Sequence, residues 1–307
     1  MLRLAFRAAG SAVVVLSDQR YAFAAQADLD HPGVLFDDQA DARRRIPQDG
    51  CEVASGSQIF GELLAFDCWH TSHGPLRIYS IRSGIWRTLQ PSPEITSCGA
   101  FNTCPWSLLA AGSYWLEFDR SICPMGEHCS LSNVFQNIRT GGVVRDPAVQ
   151  GGNRIGDVDV PHLVRRLCKP ITVPEGFNIF TSPGPGLLQL DGLFALASSP
   201  GAQGGSETYL EQYGTHLHQL LEPYTPAAYA NPVAANPHAI VWQQKQTSLN
   251  IEFLPRGRRF NVPLPKALQG TVRPALTNKH LYLVQDNSTT ENGTLWIASL
   301  PAKPPAT

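Results

Sequence analysis

Apolar positions come in short, bounded runs at residues 21–24, 63–66, 114–118, 193–196, 239–242 and 281–284, and their starts lie 42, 51, 79, 46 and 42 residues apart. Runs of this length are too short for helices and too continuous for strands with one wet face, so each predicts a strand buried on both faces. A polar, glycine- or proline-bearing stretch follows each run. A second strand then begins, at Gly33, Leu76, Asn133, Tyr209, Leu249 and Thr294. Several of these second strands end in a turn and re-enter: residues 76–81, Arg82-Ser83-Gly84, then 85–89; residues 133–138, Arg139-Thr140-Gly141, then 142–144; residues 251–254, Pro255-Arg256-Gly257, then 258–262. Glycine at these turns supplies the backbone conformation that a hairpin requires.

A strand-based unit recurring every ~40–50 residues is the mark of a β-propeller blade. The chain is therefore predicted to be all-β, a single propeller domain over residues 1–307 with about six blades. The blades are expected near 8–50, 51–97, 98–150, 170–230, 231–270 and 271–300. The one long interval holds Asp157-Val158-Asp159-Val160-Pro161 ahead of His162 to Cys168, with Pro170 behind. Proline at a first helical position and proline as a stop predict a short helical insertion near residues 160–168. The chain ends are expected to share a sheet, residues 2–6 beside 294–300, because a propeller leaves few open strand edges.

Seven cysteines lie among the first 168 residues and none after. The spacings Cys98-x5-Cys104 and Cys123-x5-Cys129 are too wide for zinc knuckles or thioredoxin-type pairs. Disulfide loops in an exported protein are the preferred reading, pairing Cys51 with Cys68, Cys98 with Cys104 and Cys123 with Cys129, with Cys168 free. Buried reduced thiols in a cytosolic chain are the alternative. The N-terminus has the outline of a signal peptide, with two arginines, an apolar stretch and Ala22-Phe23-Ala24. A strand over residues 20–25 is preferred there, so a secreted, cell-surface or periplasmic location is expected without a clear leader. No stretch of 18 apolar residues predicts a transmembrane span.

A net charge of −1 gives no basis for nucleic-acid binding. The only dense basic run, Arg43-Arg44-Arg45, reads as a solvated hairpin end. The stretch Asp18-Gln19-Arg20-Tyr21-Ala22-Phe23-Ala24, with residues 76–89 and 133–144, resembles bacterial exported β-propellers of the TolB-like or WD-repeat-like kind. The resemblance lies in the cadence of strand, turn and strand. The Trp-Asp dipeptide of WD repeats and the Ser-x-Asp-Gly box of sialidases are both missing. It implies a fold rather than a function, since propellers host enzymes, lectins and scaffolds alike.

Candidate chemistry is sparse. No nucleophile elbow, zinc-protease helix, phosphate loop or dinucleotide fingerprint is present, and no cofactor or metal is predicted. His70, His73 and His128 stand in loops of neighbouring blades and read as backbone-bonded loop residues before metal ligands. His216 and His218 share one face of a strand. Asp157 and Asp159 suit the cap of the expected helix better than an acid–base couple. Asp37-Asp38 reads as turn chemistry. Asn287 and Asn292 each open a glycosylation-type triplet. Most tryptophans read as core, with Trp69 and Trp106 set apart because they neighbour loops.

The loops after the first run of each blade fall on one face. Their residues Trp69, His70, His73, Arg120, Glu127 and His128 are the candidate ligand-binding set. The turns of the opposite face are expected to hold mainly Arg, Ser and Gly. A monomeric, non-enzymatic binding or scaffold propeller for a protein or glycan ligand is the favoured function. The alternative is a propeller hydrolase or lyase acting on an extracellular polymer.

Overall fold

The computed structural model describes residues 2–8, 12–26, 31–48, 51, 57–66, 75–96, 102–103, 106–111, 115–124, 130–146, 186–191, 194–200, 206–212, 217–224, 233–236, 238–253, 258–287 and 292–300, some of them as backbone alone. These residues form twenty-five strands in six antiparallel sheets. Five sheets follow the chain directly. Sheet 1 is β2 (Val13–Ser17), β3 (Tyr21–Gln26), β4 (Gly33–Asp37) and β5 (Ala42–Ile46). Sheet 2 is β6 (Gln58–Phe60), β7 (Leu63–Phe66), β8 (Leu76–Ser80) and β9 (Trp86–Leu89).

Sheet 3 has five strands, β10 (Asn102–Thr103), β11 (Trp106–Ala111), β12 (Trp115–Pro124), β13 (Ser130–Asn137) and β14 (Val143–Asp146). Sheet 4 is β15 (Gly186–Asp191), β16 (Phe194–Pro200), β17 (Ser206–Gln212) and β18 (Leu217–Tyr224). Sheet 5 is β19 (Val233–Ala235), β20 (Ala239–Lys245), β21 (Ser248–Phe253) and β22 (Arg258–Pro263). Sheet 6 joins the chain ends: β23 (Arg273–Leu276), β24 (His280–Asn287) and β25 (Asn292–Ser299) are flanked by β1 (Arg3–Arg7), with Arg3 opposite Ile297 and Arg7 opposite Thr294. The fold is a β-propeller.

Each apolar run of the sequence is the second strand of its sheet, and each partner strand is the third. In sheets 1 and 2 the runs are buried on both faces: Ala22 and Phe23 are wholly enclosed, as are Leu64, Ala65 and Phe66. Enclosing one large apolar side chain stabilises by about 1.5–3 kcal/mol, so these strands are the energetic spine of the sheets. The third-to-fourth turns close as hairpins, with Gly84 at φ 69° and Gly141 at φ 71°.

The chain divides into two compact units, residues 1–53 with 224–307, and residues 54–223. In the first, one core cluster joins sheets 5 and 6 through Val241, Ile251, Leu276 and Leu283. A second joins sheets 6 and 1 through Val13, Ala24, Phe36 and Tyr282. In the second unit, Ala65, Ile78, Leu108, Phe118 and Val134 unite sheets 2 and 3.

The helix expected near residues 160–168 lies outside the described residues. A four-residue helix stands instead at Pro93–Thr96, where Ser92 caps it by accepting from Glu94 N at 3.3 Å. The Arg43–Arg45 run is an exposed outer strand, β5, rather than a hairpin end. Trp106, set apart in the sequence as a neighbour of a loop, is the first residue of β11, half-buried, with its ring edge-on to Phe118 at 5.5 Å.

Candidate functional site

Antiparallel order fixes which connections share an end of a sheet. First-to-second and third-to-fourth turns lie at one end, and second-to-third loops at the other. The candidate set belongs to the loop end. Trp69, His70, His73, Glu127 and His128 lie outside the described residues, as do His216, Asp157 and Asp159. Arg120 is placed by its backbone in β12, opposite Trp106 of β11 on one side and Ser132 of β13 on the other. That register is informative. Pairing with β11 stops at Arg120 and pairing with β14 stops at Asn133, yet β12 and β13 continue together to Ile122 and Ser130. The short strand β10 supports the extension, with Thr103 opposite Cys123 and Asn102 opposite Pro124. Among the described residues the β12–β13 pairing thus extends past Arg120 at the loop end, with β10 alongside it out to Pro124.

The turn end of the first unit holds a constellation that the sequence reading did not single out. Three first-to-second turns repeat one device. Asp18 Oδ1 accepts from Arg20 N at 2.8 Å and Tyr21 N at 2.6 Å. Asn236 Oδ1 accepts from His238 N at 2.8 Å and Ala239 N at 2.7 Å. Thr277 Oγ1 accepts from His280 N at 3.1 Å. These are side chains that close a turn by capping it locally. The turns are also tied together: Asn236 Nδ2 donates to Thr277 O at 2.8 Å, and Asn278 N donates to Gln19 O at 2.8 Å.

Asp38, in the third-to-fourth turn of sheet 1, completes the network. Its carboxylate is 4% exposed, and Oδ1 lies 2.7 Å from His280 Nδ1. Oδ2 accepts from Lys279 N at 2.9 Å, while Lys279 Nζ donates to Asp38 O at 2.8 Å. The Tyr282 hydroxyl donates to Oδ1 at 3.4 Å. Burial, with the Asp38 charge beside it, pushes the Tyr282 hydroxyl far above its ordinary range and keeps it a donor. A carboxylate offers only acceptors, so His280 donates from Nδ1 in this contact, which fixes the orientation of the ring.

The neighbouring Asp37 performs the turn role expected of both aspartates, accepting from Gln39 N at 2.9 Å and Ala40 N at 3.2 Å. It also takes both arms of Arg20, at 3.0 and 2.8 Å, and this guanidinium holds its carboxyl below the usual carboxylate range. The turn end is thus richer in buried acids and amides than the expected Arg, Ser and Gly. The available signal was the polar residue three positions ahead of each second strand, in Asp18-Gln-Arg-Tyr21, Asn236-Pro-His-Ala239 and Thr277-Asn-Lys-His280.

Among the described residues no group of three or more His, Cys, Asp or Glu side chains is placed to hold a metal. None of their helices is long and apolar enough to cross a membrane. Cys51 is buried; Cys123 is placed by its backbone in β12, and the other five cysteines lie outside the described residues.

No protein-family model and no curated protein matches the chain. Solved structures do. The β-propeller domain of the Trilobed protease from Pyrococcus furiosus is 10% identical, with 99% of this chain and 100% of that one covered and a TM-score of 0.48. TolB from Acinetobacter baumannii is 11% identical over 86% of this chain, which spans 57% of TolB, with a TM-score of 0.43. PorZ, a surface component of the type-IX secretion system of Porphyromonas gingivalis, is 10% identical over all of this chain and 40% of its own, with a TM-score of 0.44. The fold assignment itself rests on the strand pairing described above.

Proposed function

We propose that this chain is a non-enzymatic binding or scaffold propeller, exported and disulfide-bonded, that meets a protein or glycan ligand at the loop end of its sheets. The observation that supports the reading is the β12–β13 pairing, which extends past Arg120 to Ile122 and Ser130 at that end with β10 alongside. Connections that leave a paired base are where ligand contacts concentrate, and Glu127 and His128 stand between these two strands in the sequence. The turn end has its buried polar groups committed to holding strands together. Cys51 is buried, and a disulfide there would fit an oxidising compartment. The pairing of Cys51 with Cys68, and those of Cys98 with Cys104 and Cys123 with Cys129, belong to the same proposal.

The test is a binding screen of purified extracellular glycans and secreted proteins against the wild type, Trp69→Ala/His73→Ala and Arg120→Ala. Ligand affinity is expected to fall at least tenfold in one or both variants at an unchanged melting temperature. A ligand held equally well by both folded variants places the binding surface elsewhere. The hydrolase or lyase reading draws on the His280 ring, which its contact with Asp38 holds in orientation. It expects polymer-degrading activity that disappears in His280→Gln, while the binding reading expects none to be lost.

A further inference from the structure

Two strands of the first unit are basic and carry no Asp or Glu: β1 reads RLAFR and β5 reads ARRRI. Strand register decides where their arginines go, because residues directly opposite on paired antiparallel strands share a face of the sheet. Arg43 is opposite Phe36 and Arg45 opposite Val34, and both partners belong to the apolar layer between sheets 1 and 6. In sheet 6, Arg3 is opposite Ile297 and Ile297 is opposite Tyr282, which belong to the same layer. Arg43 and Arg45 thus rise from the face of sheet 1 that meets sheet 6, and Arg3 from the face of sheet 6 that meets sheet 1.

The Phe36 and Tyr282 rings have centroids 5.5 Å apart, so Arg43 and Arg3 flank one aromatic contact from its two sides. Burial raises the Tyr282 hydroxyl and the Arg3 charge acts in the opposite sense, which puts Arg3 within electrostatic reach of that ring. Arg3, Arg43 and Arg45 are all exposed, and among the described residues no carboxylate pairs with any of them. Two residues along a strand span about 7 Å and facing sheets pack about 10 Å apart, so one extended ligand reaches all three.

This placement discriminates among polyanions. A bilayer surface suits charges that project from one plane, whereas these come from two facing sheets. Nucleic acid needs a broader basic surface than three arginines in a chain of net charge −1 supply. An acidic peptide brings backbone amides that arginine side chains leave half satisfied, since they only donate. A polysaccharide with a carboxylate on each sugar has no such amides, and each carboxylate fits the planar fork of a guanidinium.

We propose that Arg3, Arg43 and Arg45 form a binding site for a uronate-type polysaccharide on the outer strands of sheets 1 and 6. The site is separate from the loop end and does not depend on the function proposed there.

The experiment uses the full chain and a fluorescent oligogalacturonate, with its neutral methyl ester as the matched control and anisotropy as the readout at low and at physiological salt. The acid form is expected to bind at least tenfold more tightly than the ester. Arg3→Gln/Arg43→Gln/Arg45→Gln is expected to weaken binding at least tenfold at an unchanged melting temperature. Arg82→Gln/Arg87→Gln/Lys266→Gln, which removes the same charge from exposed positions elsewhere, is expected to leave it unchanged. Arg3→Gln alone and Arg43→Gln/Arg45→Gln are each expected to weaken it, because the two sheets share one ligand. No binding by the wild type, equal binding of the ester, or equal losses in the two triple variants overturns the site. An effect confined to the arginines of one sheet overturns the shared grip. Tighter binding of duplex DNA, an acidic peptide or anionic vesicles through the same arginines overturns the assignment to a polysaccharide.

Discussion

The two ends of the sheets in the first unit are built on different principles. At the turn end, side chains far apart in sequence hold one another: Asp38 and His280 are 242 residues apart and in direct contact at 2.7 Å. At the loop end, hydrogen bonds such as Arg273 Nη2 to Val13 O at 3.0 Å and Val272 N to Gln243 Oε1 at 3.0 Å are joined by close packing. A Cβ on Gly33 would stand 2.1 Å from the Phe23 ring, and one on Gly293 would stand 2.8 Å from the backbone nitrogen of Val13. Polar fastening fixes geometry through direction, whereas close backbone approach fixes it through exclusion. The first tolerates no loss of a partner and the second tolerates no added atom.

The largest effect is expected from Asp38→Ala, which leaves the His280 ring N–H, the Lys279 N–H and the Tyr282 hydroxyl without their acceptor. Loss of about 3 kcal/mol is expected, because buried donors left without an acceptor cost about 1–3 kcal/mol each. Urea unfolding measures it, and a loss under about 1 kcal/mol would show that the turn end is not fastened through this carboxylate. Gly293→Ala tests the other end. Overpacking against the Val13 backbone is expected to cost about 1–3 kcal/mol by the same measurement. A neutral result would mean that β25 and β2 separate easily.

Deleting residues 1–7 removes β1 and exposes the edge of β25. Loss of this strand is expected to lower the melting temperature by several degrees, on the scale of roughly 2–4 °C per kcal/mol for chains of this class. An unchanged melting temperature would show that sheet 6 stands on three strands.

The smallest effect concerns acid. Asp37 has its pKa lowered by Arg20 in the folded state, so its contribution is present above the unfolded value of about 3.9 and is lost as pH falls below it. Asp37→Asn is therefore expected to destabilise the protein at pH 7 and to make little difference near pH 3. Equal destabilisation at both pH values would assign the role of Asp37 to its turn hydrogen bonds instead.

The second and third strands were legible in the sequence because burial on both faces demands continuous apolar runs. Gly33 and Leu76, taken from the sequence as strand starts, open β4 and β8. The innermost strands were not. Gln58–Phe60 and Val233–Ala235 are three residues long, and Arg273–Leu276 contains Pro274, so neither alternation nor propensity marks them. Pairing with a strong neighbour makes them strands. The Asp38 knot was hidden for a related reason. Asp37-Asp38 looks like one turn signal, and nothing local tells which aspartate turns inward to meet a histidine from sheet 6. At the loop end, the extension of β12 beyond Arg120 depends on a third strand, β10, of only two residues.

Sheet 6 takes its outer strand from residues 3–7 and its other three from residues 273–299. On a ribosome adding about 5–20 residues per second, β1 emerges on the order of half a minute before its partner β25 exists. Such a pairing has high contact order and forms late. Through that wait β1 is a lone segment whose flanks, Arg3 and Arg7, carry positive charge around Leu4, Ala5 and Phe6. Charge at both ends of a short apolar stretch discourages premature association between nascent chains. The arginines that are exposed in the finished sheet therefore act earliest as guardians of an unfinished one.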